Sequence, residues 1–475
     1  VRENEPGSVF SPRKPRRDDL LDVAVTSFDA RGRATGESDG YRVRLRRGIP
    51  GSTVRARVLR RRRDQIDALP LETIAASPHA VPARCAHAGI CGGCSFQDLA
   101  YDAQLAGKHR LVAEAFAASS SSLGLRIDPV LPAPEAFGYR NKMEFSFGSR
   151  RYVEHGEPPN APAGFALGLH ARDLFSKVID VRACPIQAPV ADGILASARE
   201  IALELELAPW DAREHRGLLR HLVVRVARST GEVLVALVTS EEARAAVDAF
   251  AERLLARHGE ITTLVHGINT RHADTAIAES ERVLFGPGSI VERLGGLAFA
   301  ISAGSFFQTN TLAAEILIEL VREEAKLAGQ ELVWDLYCGT GTLALSLARS
   351  AREVVGFEIA PSSIADARRN ADRNGIANAQ FVEGDVLAGL EGAPAARPDV
   401  VLLDPPRSGL HPKLVPRLAA LSPRRIVYVS CNPKAAAIDL LRLEAAGYEP
   451  GRVRPLDLFP HTPHVECVIG FEQRG

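Results

Sequence analysis

Between Leu20 and about Ala76, apolar and polar positions alternate in short runs. Val23–Ala24–Val25, Tyr41–Arg42–Val43–Arg44–Leu45 and Val54–Arg55–Ala56–Arg57–Val58–Leu59 are the clearest, and Arg47–Gly48–Ile49–Pro50–Gly51 reads as a turn. A period of two puts the apolar side chains on one face and the arginines on the other. Several such strands in so short a stretch predict a small barrel of the OB type, an architecture that often binds nucleic acid. A cysteine-bearing segment follows, then a helix of roughly Asp98 to Ala118 ended by the serine run Ser119–Ser122. From 126 to 300, strands (Leu222–Val226, Val233–Val238) mix with helices (Ala188–Leu207, Glu241–His258) without defining a fold.

Beyond Ala303 the two periodicities alternate regularly. Helix Leu312–Leu327, strand Leu332–Leu336, helix Thr342–Ala348, strand Glu353–Glu358 and helix Ser362–Asn374 come first. Strands Ala379–Glu383, Asp399–Leu403 and Arg425–Ser430 continue the series, and residues 391–398 read as an ordinary loop. Repeated βα units predict an open, mostly parallel sheet with helices on both faces. The chain therefore divides into a lead-in at 1–17, expected to be disordered, a barrel at 18–80, a central unit at 81–300 and an α/β unit at 301–475. No internal repeat is visible.

Composition changes this picture little. At 475 residues the chain exceeds one hydrophobic core, and 46% apolar with 24% charged residues is ordinary for a globular protein. No apolar run approaches the roughly 20 residues of a membrane span, and the first residues form no apolar secretory segment. A cytoplasmic, monomeric protein is the expectation. Charge is more informative: residues 1–80 hold 17 Lys and Arg against 11 Asp and Glu on a chain of zero formal net charge. A basic module on a neutral chain suits RNA or DNA phosphates, or else a solvated face.

Candidate chemistry gathers at strand ends. Trp334–Asp335–Leu336–Tyr337–Cys338–Gly339–Thr340–Gly341–Thr342 lies where a buried strand gives way to a helix, and its glycines let backbone approach a ligand. Glu358 ends the next strand, where a carboxylate can bind ribose hydroxyls, and Asp385 follows the one after, within expected reach of an adenine. The third glycine of a dinucleotide loop is missing, since Ala344 stands there. Val400–Leu403 runs into Asp404–Pro405–Pro406–Arg407, and Ile426–Val429 into Ser430–Cys431–Asn432–Pro433. Both runs should be buried parallel strands that deliver Asp404 and Cys431 to the ligand edge. Cys338 and Cys467 are expected to be packing residues, and His461 and His464 carry no assigned role. Cys85, Cys91, Cys94 and the later Cys184 could hold zinc or a [4Fe–4S] cluster.

Asp404–Arg407, Ser430–Pro433 and His464–Val465–Glu466, in that order, resemble the RNA uridine-5-methyltransferase family. Phe306–Phe307–Gln308–Thr309–Asn310 and Tyr139–Arg140–Asn141–Lys142 match it too, and Gly48–Gly51 with its following strand looks like its TRAM barrel. The resemblance spans about residue 20 to the C-terminus. It implies a multidomain α/β protein: an OB-like TRAM barrel, a central α+β domain with a cysteine cluster, and a Rossmann-like domain that binds S-adenosylmethionine. It further implies that Cys431 is the nucleophile, Glu466 the general base and Asp404 a positioning group. Gln308, Asp335, Tyr337, Gly339, Gly341, Glu358, Asp385 and Asp404 would touch the cofactor, and Arg140 and Lys142 would touch RNA phosphates or else form structural ion pairs. The four cysteines would hold [4Fe–4S] rather than zinc, which by association favours 23S ribosomal RNA over transfer RNA. The Cys431 pKa should be lowered by nearby donors or positive charge. Many relatives carry Asn where this chain has Thr342, whose hydroxyl is expected to cap the helix. The rival readings are amino or cytosine methylation, which the first would achieve without a thiol, and a non-catalytic RNA-binding or redox-sensing protein.

Overall fold

In the structure, a computed structural model describing residues 14–154, 156–158, 160–387 and 397–474, the alternating N-terminal stretch closes into a barrel. Most of the lead-in (1–13) and of the loop read at 391–398 lies outside the described residues. The barrel strands are β1 (Leu20–Phe28), β2 (Ala34–Ser38), β3 (Tyr41–Leu45), β4 (Thr53–Arg62) and β5 (Gln65–Ala75), closed in the order β1-β2-β3-β5-β4. Val23, Leu45, Ala56, Val58 and Ile66 fill it with no exposed surface. At Gly36 a Cβ would fall 2.1 Å from the Ala24 carbonyl oxygen, so only glycine lets β2 lie this close to β1. Arg44 and Arg60 pair with Asp67, and Arg55 with Asp22, which neutralises part of the basic surface.

The helix expected at 98–118 is two: α1 (Tyr101–Ala115) and α2 (Ala117–Leu123). The serine run lies inside α2 and does not end the helix. Ser121 turns its hydroxyl back onto the Ala117 carbonyl (3.0 Å), a bond that lets serine sit in a helix. The stop comes at Gly124, in the left-handed region at φ 63°. Val112 and Phe116 of this segment are buried with Trp334, Tyr428 and Leu440, so it packs on the C-terminal unit across the boundary drawn at 300.

The central stretch, which the sequence left undefined, is a seven-stranded sheet. Its strands are β6 (Lys142–Gly148), β7 (Ala166–Ala171), β8 (Leu174–Asp180), β9 (Leu219–Val226), β10 (Val233–Thr239), β11 (Ile261–Ile268) and β12 (Ser280–Phe285). They lie in the order β12-β11-β10-β9-β6-β7-β8, antiparallel except for β10 beside β11. Helices α3 (Pro189–Glu204) and α4 (Arg244–Arg257) cover one face over Phe145, Leu222, Val235 and Leu264. From the other face Val223, Leu234, Ala236 and Val265 enter the core of the C-terminal unit.

That unit begins with the hairpin β13 (Ser289–Leu294) and β14 (Leu297–Ser302). Next come α5 (Thr311–Ala325), β15 (Leu332–Leu336), α6 (Thr342–Ala348), β16 (Glu353–Glu358), α7 (Pro361–Arg373) and β17 (Ala379–Glu383). The chain continues through β18 (Val400–Leu403), α8 (Leu414–Leu421), β19 (Arg425–Ser430), α9 (Pro433–Ala445), β20 (Tyr448–Leu456) and β21 (Glu466–Gln473). The sheet order is β17-β16-β15-β18-β19-β21-β20; the first five strands are parallel and β21 runs against both its neighbours. The order reverses between β15 and β18, and a crevice opens beyond the carboxyl ends of strands at such a point. The glycine turn after β15 and Asp404 after β18 flank it. Among the described residues no helix is long and apolar enough to cross a membrane.

Candidate active site

After β15 the chain turns at Tyr337, whose φ of 87° is costly for a residue with a Cβ. The turn is held by the Tyr337 and Cys338 amides, which both donate to the Phe357 carbonyl (3.0 and 2.9 Å). Gly339 (φ 54°) and Gly341 (φ 82°) complete it. Gly341 occupies the position before α6, which has no side-chain cap; the Thr342 hydroxyl lies 3.3 Å from that of Thr340. The expected threonine cap is therefore absent, because a left-handed glycine already ends the turn and Thr342 falls inside the helix.

A crevice of about 460 Å³, counting the space open at its mouth, lies against this turn. Phe306, Phe307 and Gln308 line it together with Asp335, Tyr337, Gly339, Thr340 and Asp404. Asp335 is buried, and neither of its carboxylate oxygens has a hydrogen-bond partner; the Ala344 amide leans toward it without closing a bond. Burial, then the neighbouring charges of Asp404 and Glu358, hold its carboxyl well above the usual range. An unpartnered buried carboxylate beside a crevice fits a cationic or hydrogen-bond-donating ligand. Glu358 steadies the turn, accepting from the Gly339 amide (3.2 Å) and the Ala360 amide (2.9 Å). Asp385 is exposed, accepts from the Leu387 amide (2.9 Å) and is not among the crevice's lining residues. The three carboxylates thus converge less than their positions after successive strands suggested.

Next to the crevice lies a second set of groups. Asn432 donates to the Arg407 carbonyl (2.8 Å) and so ties the loop after β19 to the loop after β18. Asp439 of α9 accepts from Tyr428 of β19 and from the Leu410 amide, both at 2.8 Å, and fixes the same two loops from below. Because β21 runs antiparallel to β19, Cys467 pairs with Ser430, which sets Glu466 beside Cys431 at the strand ends. Cys467 itself is buried in the core, as its position on the opposite face predicts. Glu466 is buried, and its carboxyl is pushed well up by desolvation and by Asp404. Asp404 is pushed up to about 7 by burial.

Cys431 corrects an expectation: its thiol is pushed up to about 11, by burial first and then by Glu466. Two acidic neighbours outweigh the single cation, Arg407, which pulls the other way. Arg407 is the residue whose role sequence reasoning missed, although its motif was noticed. It lies 3.2 Å from Nδ1 of His464, an imidazole held near pKa 4 by burial and by Arg407. His464 is therefore neutral and accepts from the guanidinium. His461 is buried, its ring near Gln104 (3.2 Å) and Phe137, and supports the loop before β21.

The thiols of Cys85, Cys91, Cys94 and Cys184 are each raised by burial first; repulsion from other cysteines of the set adds to the shift at Cys91, Cys94 and Cys184. The Gly93 amide donates to Cys91 Sγ (3.3 Å) and Gln97 to Cys94 Sγ (3.5 Å). Among the described residues, no group of three or more His, Cys, Asp or Glu side chains is placed to hold a metal ion. Of the residues expected at RNA, Arg140 donates to the Lys142 carbonyl (3.0 Å), while the Lys142 ammonium is engaged by Glu144 at 2.7 Å. That pairing is the structural ion pair that stood as the alternative to a phosphate contact at this position.

Comparison with known proteins agrees with this geometry. A family model described as a methyltransferase domain matches residues 329–419, and one described as tRNA (Uracil-5-)-methyltransferase matches residues 395–474. An uncharacterized RNA methyltransferase of Chlorobaculum tepidum is 37% identical over 470 residues, covering 96% of this chain and 97% of its own. Another, from Nitratidesulfovibrio vulgaris, is 38% identical over 459 residues, covering 94% and 95%. The crystal structure of Pyrococcus abyssi tRNA (uracil-54, C5)-methyltransferase with S-adenosyl-L-homocysteine superposes with a TM-score of 0.73 at 27% identity, covering 95% of this chain and 99% of that one. With the relatives aligned end to end and the glycine turn, Asp404, Cys431 and Glu466 at one sheet edge, this chain belongs to the family of adenosylmethionine-dependent RNA (uracil-5-)-methyltransferases.

Proposed function

We propose that the protein methylates carbon 5 of a uridine in structured RNA through a transient bond between Cys431 and carbon 6. The observation that carries this reading is the placement of Cys431 and Glu466 side by side at the edge of the crevice that Asp335 and Asp404 line. Uracil carbon 5 is a weak nucleophile. Addition of the Cys431 thiolate to carbon 6 makes carbon 5 enolate-like, so that it can take a methyl group. S-adenosylmethionine, when bound, supplies that methyl group and departs as the neutral thioether. Glu466 then removes the carbon 5 proton, and the electrons return to expel the thiolate and restore the ring. A raised carboxyl pKa makes Glu466 a stronger base once ionised. Arg407 is the neighbour that favours the Cys431 thiolate. Asp404, half-buried and titrating near neutrality, positions the base or the cofactor's charged end.

Asp335, Gln308, Tyr337, the Gly339–Gly341 backbone and Glu358 would hold the cofactor, with Asp385 at its periphery. The barrel is read as a TRAM module, and the target uridine as flipped out of its helix or loop to reach Cys431. Cys85, Cys91, Cys94 and Cys184 would hold a [4Fe–4S] cluster. Four buried or half-buried cysteines with raised thiol pKa suit this, since coordination as thiolates compensates the charge that burial opposes. The cluster would clamp the cysteine segment, as methyl transfer moves no electron. The cysteine set favours 23S ribosomal over transfer RNA.

The test is incubation with S-adenosylmethionine and 5-fluorouridine-substituted 23S and transfer RNA transcripts. Fluorine at carbon 5 blocks the final proton removal, so a denaturation-resistant protein–RNA adduct should accumulate on the ribosomal transcript and vanish in Cys431→Ala. Methyl transfer by Cys431→Ala at the wild-type rate would overturn the mechanism.

A further inference from the structure

Phe306, Phe307 and Gln308, one wall of the cofactor crevice, belong to a segment between β14 and α5 that has no helix or strand of its own. Backbone of this kind holds its shape through the partners of its carbonyls together with its side-chain anchors, here Ser305 on Asp366 and Asn310 on the Leu458 carbonyl. Here the main partners come from the central sheet. The Asn141 side chain donates to the Gln308 carbonyl (2.9 Å) and to the Thr311 hydroxyl (3.0 Å). Its backbone amide donates to the Thr309 carbonyl (2.8 Å), and its own carbonyl accepts from Val226 (2.8 Å), which locks it to β9. Arg225 of β9, fully buried, donates from Nη2 to the Ser305 carbonyl (3.0 Å). From the C-terminal unit itself, Thr340 reaches the Phe306 carbonyl at 3.3 Å.

We propose that Asn141 and Arg225 are positioning residues for the cofactor: the central sheet, which touches no part of the crevice, holds the wall against which the cofactor binds. This rests on the adenosylmethionine reading above. A segment released from its braces samples other conformations, and a ligand that needs one of them binds with affinity reduced by the fraction competent. Once bound, the cofactor restores the wall. The loss therefore falls on cofactor affinity and on its KM, and leaves kcat at saturating cofactor unchanged. A side chain that merely filled space would not separate the two.

Calorimetry with S-adenosylhomocysteine on the full-length protein tests this, with kcat measured at saturating S-adenosylmethionine. Asn141→Ala should raise the Kd about tenfold and keep kcat within about twofold of wild type. Arg225→Met, which keeps the packing length, should shift the Kd in the same sense and stands in if Asn141→Ala fails to fold. Arg199→Met is the control: Arg199 is buried in the same unit against Asp180 and the Leu167 and Val181 carbonyls, away from this segment. It should lower the melting temperature and leave the Kd unchanged. A Kd within twofold of wild type in both brace variants, or an equal rise in Arg199→Met, overturns the proposal. Absence of binding by the wild-type protein would instead overturn the cofactor reading.

Discussion

Two regions of the C-terminal unit bury charge in opposite ways. Behind the catalytic loops, Lys108 of α1 and Asp457 meet at 2.5 Å with no exposed side-chain surface. Asp457 also accepts from Tyr101 (3.1 Å) and the Phe459 amide (3.0 Å), and Lys108 donates to the Phe459 carbonyl (3.0 Å). Along the crevice, Asp335, Asp404 and Glu466 crowd together, all with raised pKa and with no cation bound to Asp335. In the first region every charge is answered, and the pair fixes the stretch that leads to His461, His464 and Glu466. In the second Arg407 answers Glu466 only in part and Asp335 has no hydrogen-bond partner, a cost of the kind that sites reserved for a ligand carry.

The comparison breaks most easily at the paired region. Lys108→Met leaves Asp457 buried and uncompensated and should cost about 3–5 kcal/mol in urea unfolding. An unfolding midpoint equal to that of wild type would show that the pair holds nothing. At the crevice the sign reverses. The Asp335 carboxyl is raised above its unfolded value near 3.8, so folding favours its protonated form and stability falls as pH rises from there through the folded pKa. Asp335→Asn removes that loss: the ligand-free variant should melt at least about 3 °C higher at pH 8, gain less at pH 4, and no longer bind S-adenosylhomocysteine. A destabilised Asp335→Asn would mean that the carboxylate is a structural partner after all. The smallest effect is at Arg407. Alkylation of Cys431, followed by peptide mapping, should speed up as pH rises toward the thiol's pKa of about 11. Arg407→Ala, which removes the one favourable charge, should slow it about threefold at pH 9. An unchanged rate would assign the thiolate's stabilisation to another group.

Strands β15, β16, β17 and β19 begin and end at the residues read from the sequence. Parallel strands covered by helices on both sides are nearly continuous apolar runs, and the loops that follow them carry the chemistry by topology alone. Two central strands, Leu222–Val226 and Val233–Val238, were legible and fall within β9 and β10, but the order and pairing of the sheet were not, because its strands obey no single rule. β10 is buried along its whole length, whereas β12 at the edge alternates between exposed and half-buried, and the tip of β8 exposes Leu174 and Phe175. Within the site, residue types and order revealed which groups meet and left their charges unread. The shift at Cys431 comes first from burial and then from Glu466, thirty-five positions away in sequence and adjacent only through the antiparallel register of β21. The engagement of Lys142 by Glu144 is the structural ion pair that the sequence left open beside a phosphate contact, since spacing of two along a strand reports a shared face and not a closed ion pair.

That last strand has a consequence in time. Ribosomes deliver the chain from its N-terminus, so the cofactor crevice and the Cys431 loop leave the exit tunnel before β21 does. A nascent protein can thus present a thiol to RNA while the residue read as its proton acceptor is still inside the ribosome. On the proposed mechanism, an encounter at that stage would end in reversal of the sulfur–carbon bond or in a stalled conjugate. On that mechanism the pairing of β21 with β19, which brings Glu466 beside Cys431, is the step that would complete the site.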